Sequence, residues 1–150
     1  MIARLAGVAI DARFAVVTSP AGESDPAARA RAARWIAANA LATRDVGLCV
    51  EGELPGEAEL LVVHATSFSA MLAALAALPS LVDAATLPCR WRLALRALGL
   101  PGLDRPVASA IAGGASVLIA GGPGGCELAV DREWRGFRVR VGPPARTLPA

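Results

Sequence analysis

His64 is the only histidine in the chain. It stands where an apolar run, 60–63, gives way to a helix-like segment, in Val63-His64-Ala65-Thr66-Ser67-Phe68-Ser69. A neutral imidazole at such a junction can take a proton from a hydroxyl, which is the work of a general base in acyl transfer. The same placement suits a histidine that only satisfies its hydrogen bonds at a strand end. Arg105 closes Gly99-Leu100-Pro101-Gly102-Leu103-Asp104-Arg105 and offers a planar fork for a phosphate, or a partner for Asp104 beside it. Ala120-Gly121-Gly122-Pro123-Gly124-Gly125 offers backbone N–H groups with no side chains to hold an anion away. That makes Gly121, Gly122 and Gly124 candidates for substrate contact.

Other chemistries are closed off by residue type. All fifteen basic residues are arginine, so a phosphate-loop lysine, a Schiff base and a lysine general base are excluded within this chain. Cys49, Cys89 and Cys126 are odd in number, widely spaced and form no C-x-x-C. They read as buried free thiols of a reducing compartment, without a zinc signature. No metal and no cofactor is expected. The glycine run superficially resembles a flavin-type dinucleotide fingerprint. That motif needs a following helix and an acidic residue about 20 positions on. Only 25 residues remain, and they contain Trp134, Gly136 and prolines. A formal net charge of +2 is too small to argue for nucleic acid.

The elements that must position these residues can be read from the apolar pattern. With 150 residues and 55% hydrophobic content the chain reads as one domain, 1–150, with enough length for a real core. Tyrosine is absent and aromatics are scarce, so the core must be aliphatic. Val16 and Val17 suggest a strand, and 19–24 a break. Asp25-Pro26 reads as an N-cap and first helical position. The helix after it runs to about Arg44, exposing Arg29, Arg31 and Arg34 and docking Trp35, Ile36 and Leu41 inward. Segments 46–50 and 60–63 read as strands on either side of a polar turn. A helix from Ser67 carries Phe68, Met71, Leu72, Leu75 and Leu78 on one side and alanines on the other, and so expects close packing all round. Pro79 ends it, and 81–87 reads as a further strand. Segment 89–98 reads as a helix with a Trp91, Leu95, Leu98 stripe and an Arg92, Arg96 row. Strands at 116–120 and 137–141 complete the pattern. Strands alternating with helices imply α/β architecture with a mixed, mostly parallel sheet flanked by helices.

The order of elements and three local strings resemble the glycerolipid acyltransferase family of the lysophosphatidic acid type, over roughly residues 29–125, in a shortened form. The family shows a G-x-x-P turn and then a strand ending in N-H-x-S-x-x-D. Here Gly52-Glu53-Leu54-Pro55 matches the turn, and His64 matches the family's base. Thr66 stands for its serine, Val63 for its asparagine and Ser69 for its aspartate. The resemblance gives Arg105 the acceptor phosphate. It makes 117–125 an eroded form of the block that normally ends F-P-E-G-T-R, without its glutamate and arginine. A weaker echo follows at 137–148, in Val139-Arg140-Val141-Gly142-Pro143-Pro144.

The resemblance therefore implies an acyltransferase-like fold whose chemistry is degraded. The carboxylate that would hold the imidazole's tautomer is Ser69, and neutralising such a carboxylate costs about 10⁴ in rate in a serine-protease triad. Asp83 or Asp104 would have to replace it. Three functions fit: a lipid- or acyl-binding accessory protein with weak or no transferase activity; an active transferase with His64 as base, Thr66 and Ser69 as supports and Arg105 as clamp; or a structural subunit of a larger assembly. The implied partners are an acyl-CoA or acyl-carrier protein, a lysophospholipid, and a membrane surface or protein complex, with no nucleic acid. The short apolar stretch 5–10 is interrupted by Asp11 and Arg13 before reaching signal-peptide length, which reads as a cytoplasmic protein, peripheral at the inner face of the membrane where it touches one.

Overall fold

The computed structural model describes residues 25–53, 55–121 and 125–144. Helix α1 (Pro26–Ala42) starts as its sequence dictates: the Asp25 carboxylate accepts from the Ala27 N–H, and proline occupies the first helical position. Next come β1 (Gly47–Glu51), β2 (Leu60–His64), α2 (Phe68–Ala77), β3 (Ser80–Val82), a 3₁₀ turn (Ala84–Thr86), α3 (Cys89–Leu98), α4 (Val107–Ala112), β4 (Ser116–Ala120), β5 (Cys126–Glu133) and β6 (Gly136–Pro144).

The architecture is α/β, with one mixed six-stranded sheet in the order β1-β6-β5-β2-β4-β3. Strands β5, β2, β4 and β3 run parallel to one another. β6 turns back antiparallel to β5, and β1 lies parallel to β6 at the edge. Leu61 and Val63 of β2, Leu118 of β4, Leu128 of β5 and Val139 and Val141 of β6 share a core with Ile36, Ala37, Ala40 and Leu41 of α1 and with α2 and α3. Beyond Ser69 in its first turn, helix α2 is apolar all round, and every residue from Ala70 to Ala77 is buried, as its leucine and alanine faces require.

Three sequence expectations change. Trp35 is 43% exposed, whereas Ile36 and Leu41 dock inward. The strand expected over 81–87 ends at Val82, because Asp83 caps the 3₁₀ turn through the Ala85 N–H. An eight-residue strand, β5, occupies residues where none was expected. Its alternation of Cys126, Leu128 and Val130 with Glu127, Ala129 and Asp131 is a strand pattern, and Trp134-Arg135 makes the hairpin turn to β6. The strand expected around Val16 and the break at 19–24 lie outside the described residues.

The glycine run has a topological task. β4 and β5 both lie against β2, on opposite sides and in the same direction, yet only residues 121–125 connect them. A parallel connection ordinarily takes a dozen residues or more. Gly125 has φ +75°, and a Cβ there would collide with the Leu60 carbonyl of β2, so only glycine closes this connection.

Candidate functional site

His64 is the last residue of β2. Leu61 and Val63 point into the core, so the pleat sends His64 to the other face, where its side chain is 56% exposed. The register of β2 with β5 pairs Val62 with Glu127 and His64 with Ala129. Glu127 is therefore the diagonal neighbour on the same face, and its Oε1 lies 4.0 Å from His64 Nε2. The carboxylate facing the imidazole is thus on the adjacent strand rather than at Asp83, Asp104 or Ser69. The same face continues outward as a set of ion pairs. Arg140 Nη2 meets Asp131 Oδ2 at 2.8 Å, and Arg138 bridges Glu133 and Glu51 at 2.6 and 3.2 Å.

The other residues picked out by sequence fall in different places. Thr66 is exposed in the turn between β2 and α2. Ser67 caps α2, its Oγ accepting from the Ala70 N–H at 3.1 Å. Ser69 is half-buried and lines an open, polar cleft of about 660 Å³ with Arg44, Arg132, Arg135 and Phe137. Arg105 Nε meets Asp104 Oδ1 at 3.2 Å. Arg29 approaches the same carboxylate at 3.8 Å and donates to the Gly102 carbonyl at 2.8 Å. That cluster fastens α1 to the segment before α4. Because Val63 pairs with Ala120, Gly121 comes next, alongside the strand end that carries His64. Gly122 and Gly124 lie outside the described residues.

A second cavity, of about 170 Å³, opens beyond the carboxyl end of β3. Leu75, Val82, Leu95 and Leu100 wall it, and Arg92 and Arg96 stand on one face of α3 beside it. Carboxyl ends of parallel strands are where α/β sheets ordinarily hold ligands. Among the described residues neither guanidinium has a carboxylate partner. Apolar walls with two arginines in the lining can hold an apolar tail and an anionic head together. His64 lines neither cavity. The arginine row was visible at i, i+4 in the sequence and Leu100 follows it closely, but Leu75 and Val82 come from α2 and β3, and nothing local in the sequence signals that they face it.

The cysteines separate by environment. The expectation of buried thiols holds for Cys126 alone: Cys49 lies on the exposed edge strand β1 and Cys89 at the exposed start of α3. The Cys126 thiol donates to the Gly142 carbonyl at 2.7 Å. Burial pushes its pKa up, and the carboxylates of Glu59 and Glu127 add to the shift, so it stays protonated and is a poor nucleophile. Among the described residues, no cluster of three histidine, cysteine, aspartate or glutamate side chains could hold a metal ion, and no helix is long and apolar enough to cross a membrane. No protein-family model, curated protein or solved structure matches the chain.

Proposed function

We propose that the chain binds a small anionic amphiphile, an acyl group bearing an acidic head, and does not itself transfer the acyl group. One observation carries this reading: the cavity beyond β3 is lined by Leu75, Val82, Leu95 and Leu100 together with Arg92 and Arg96, which meet no carboxylate among the described residues. The tail would lie against the leucines and the head would meet the arginine row, a division of labour that neither half of the cavity performs alone. Such a protein fits the accessory role implied by the glycerolipid acyltransferase resemblance and its eroded motifs.

The test is calorimetric titration with octanoate, octyl phosphate and octanol. With about ten non-hydrogen atoms, octanoate is expected to bind with Kd on the order of 0.1 mM. Octanol should bind roughly tenfold more weakly, and the Arg92→Gln/Arg96→Gln pair should remove the difference. Equal binding of octanol and octanoate, or octanoate binding untouched by the double substitution, would sink the proposal.

A second reading keeps His64 as an acyl-transfer base, and Glu127 is what favours it. A carboxylate within 4.0 Å of Nε2 could stabilise an imidazolium as it forms. Turnover of a labelled acyl thioester with lysophosphatidic acid, abolished by both His64→Ala and Glu127→Gln, would establish it. Absence of turnover in a protein that binds octanoate leaves the binding role.

A further inference from the structure

The strand at the open edge of the sheet carries a second message, independent of the cavity. All five residues of β1 are exposed. The Gly47 N–H donates to the Arg135 carbonyl at 2.8 Å, so Gly47, Cys49 and Glu51 aim their backbone groups at β6. By alternation Leu48 and Val50 aim theirs outward, away from the sheet, where no strand among the described residues pairs with them. Their side chains lie on the core face, in register with Phe137 and Val139, yet remain 38% and 39% exposed. An edge whose backbone is unpaired and whose core extension is uncovered among the described residues is suited to strand addition.

We propose that β1 pairs antiparallel with β1 of a second copy of this chain, about a two-fold axis at Cys49. The sequence Gly-Leu-Cys-Val-Glu is self-complementary in that register. Leu48 of each copy falls opposite Val50 of the other, and each such pair exchanges two backbone hydrogen bonds, using the outward groups of the strand. Cys49 falls opposite its own copy in a non-hydrogen-bonded pair, where Cα atoms approach to about 4.5 Å. Each Glu51 falls opposite a Gly47, so the only charged side chain of the strand meets no like charge across the join. Leu48 and Val50 of both copies then lie side by side on one face, extending the layer begun by Phe137 and Val139. Pairing in the alternative parallel sense would be heterologous and would not close.

The contact is a single short strand, and it belongs with weak, reversible interfaces. Light scattering on size-separated protein, under reductant and from low micromolar to millimolar concentration, should show conversion from one chain to two. Val50→Pro removes an outward N–H without touching the β6 ladder, and Leu48→Lys places a charge in the join. Each should weaken dimerisation roughly tenfold or more while circular dichroism stays that of the native chain. Diamide accepts the two electrons and two protons that a pair of thiols releases on joining. With it the wild type and Cys89→Ser should give a band at twice the chain mass, and Cys49→Ser should not, since a Cα separation near 4.5 Å is within disulfide reach. A protein that stays single at every concentration overturns the proposal. So does a dimer equally tight in both edge variants, or a cross-link that survives Cys49→Ser and vanishes in Cys89→Ser.

Discussion

The imidazole of His64 and the carboxylate of Glu127 face each other diagonally across two parallel strands, Nε2 to Oε1 at 4.0 Å, with both side chains more than half exposed. The pair sits on the same face of the sheet as the ion pairs of Asp131 with Arg140 and of Arg138 with Glu133 and Glu51. Water reaches both groups, so their mutual attraction is screened. The geometry is that of a surface pair.

His64→Ala should therefore change unfolding free energy by no more than about 0.5 kcal/mol in urea titrations. Ser69→Asp should not create acyl-transfer activity. Its side chain lines the cleft with Arg44, Arg132 and Arg135, on the α2 side of the sheet, whereas His64 points to the opposite face. Turnover of a labelled thioester by Ser69→Asp, lost again on His64→Ala, would show that the two side chains do work together.

The glycines of the 121–125 connection make a sharper structural test. Gly121 and Gly125 both adopt positive φ, +81° and +75°. A Cβ at Gly121 meets nothing within 4 Å, whereas one at Gly125 would strike the Leu60 carbonyl. Gly121→Ala should cost about 1 kcal/mol, the strain of the left-handed backbone alone. Gly125→Ala should cost roughly 3 kcal/mol or more, or prevent folding, because the β4-to-β5 connection cannot pass β2 without a shift of backbone. Equal unfolding midpoints for the two variants would show that the connection yields where the geometry says it cannot.

These glycines also show where sequence reading reaches its limit. A run of glycines after a strong strand signals either a cradle for an anion or a close passage of backbone, and the letters are the same. Only the strand order, with β2 between β4 and β5, makes Gly125 a matter of clearance. Local elements were legible where local physics fixes them: the Asp25-Pro26 helix start, the apolar α2, and α3 with its buried Trp91, Leu95 and Leu98. The alternation in 126–131 was equally local, but it lay in the shadow of the glycine run and of the tryptophan and glycine at its hairpin. Glu127 as the neighbour of His64 was not legible at all. Residues 63 positions apart in the chain meet only through the parallel register of β2 with β5.

The buried thiol of Cys126 links the stability of the fold to alkaline pH. Its pKa is raised above the ordinary 9.0, first by burial and then by Glu59 and Glu127. Below pH 9 the thiol is protonated in folded and unfolded chains alike, and the stability linked to this group is fully present. As pH rises past 9 the unfolded chain releases the proton while the folded chain keeps it, so unfolding is favoured until the folded pKa is passed. The chain has no tyrosine and no lysine, so among side chains only thiols titrate in that window before arginine. In a Cys49→Ser/Cys89→Ser background, urea unfolding free energy should fall above pH 9 with a slope approaching at most about 1.4 kcal/mol per pH unit, the limit for one proton. Adding Cys126→Ala should lower stability at neutral pH through the lost packing, yet flatten that slope. If the slope above pH 9 is the same with and without Cys126, this thiol does not hold its proton through the fold, and alkaline unfolding has another origin.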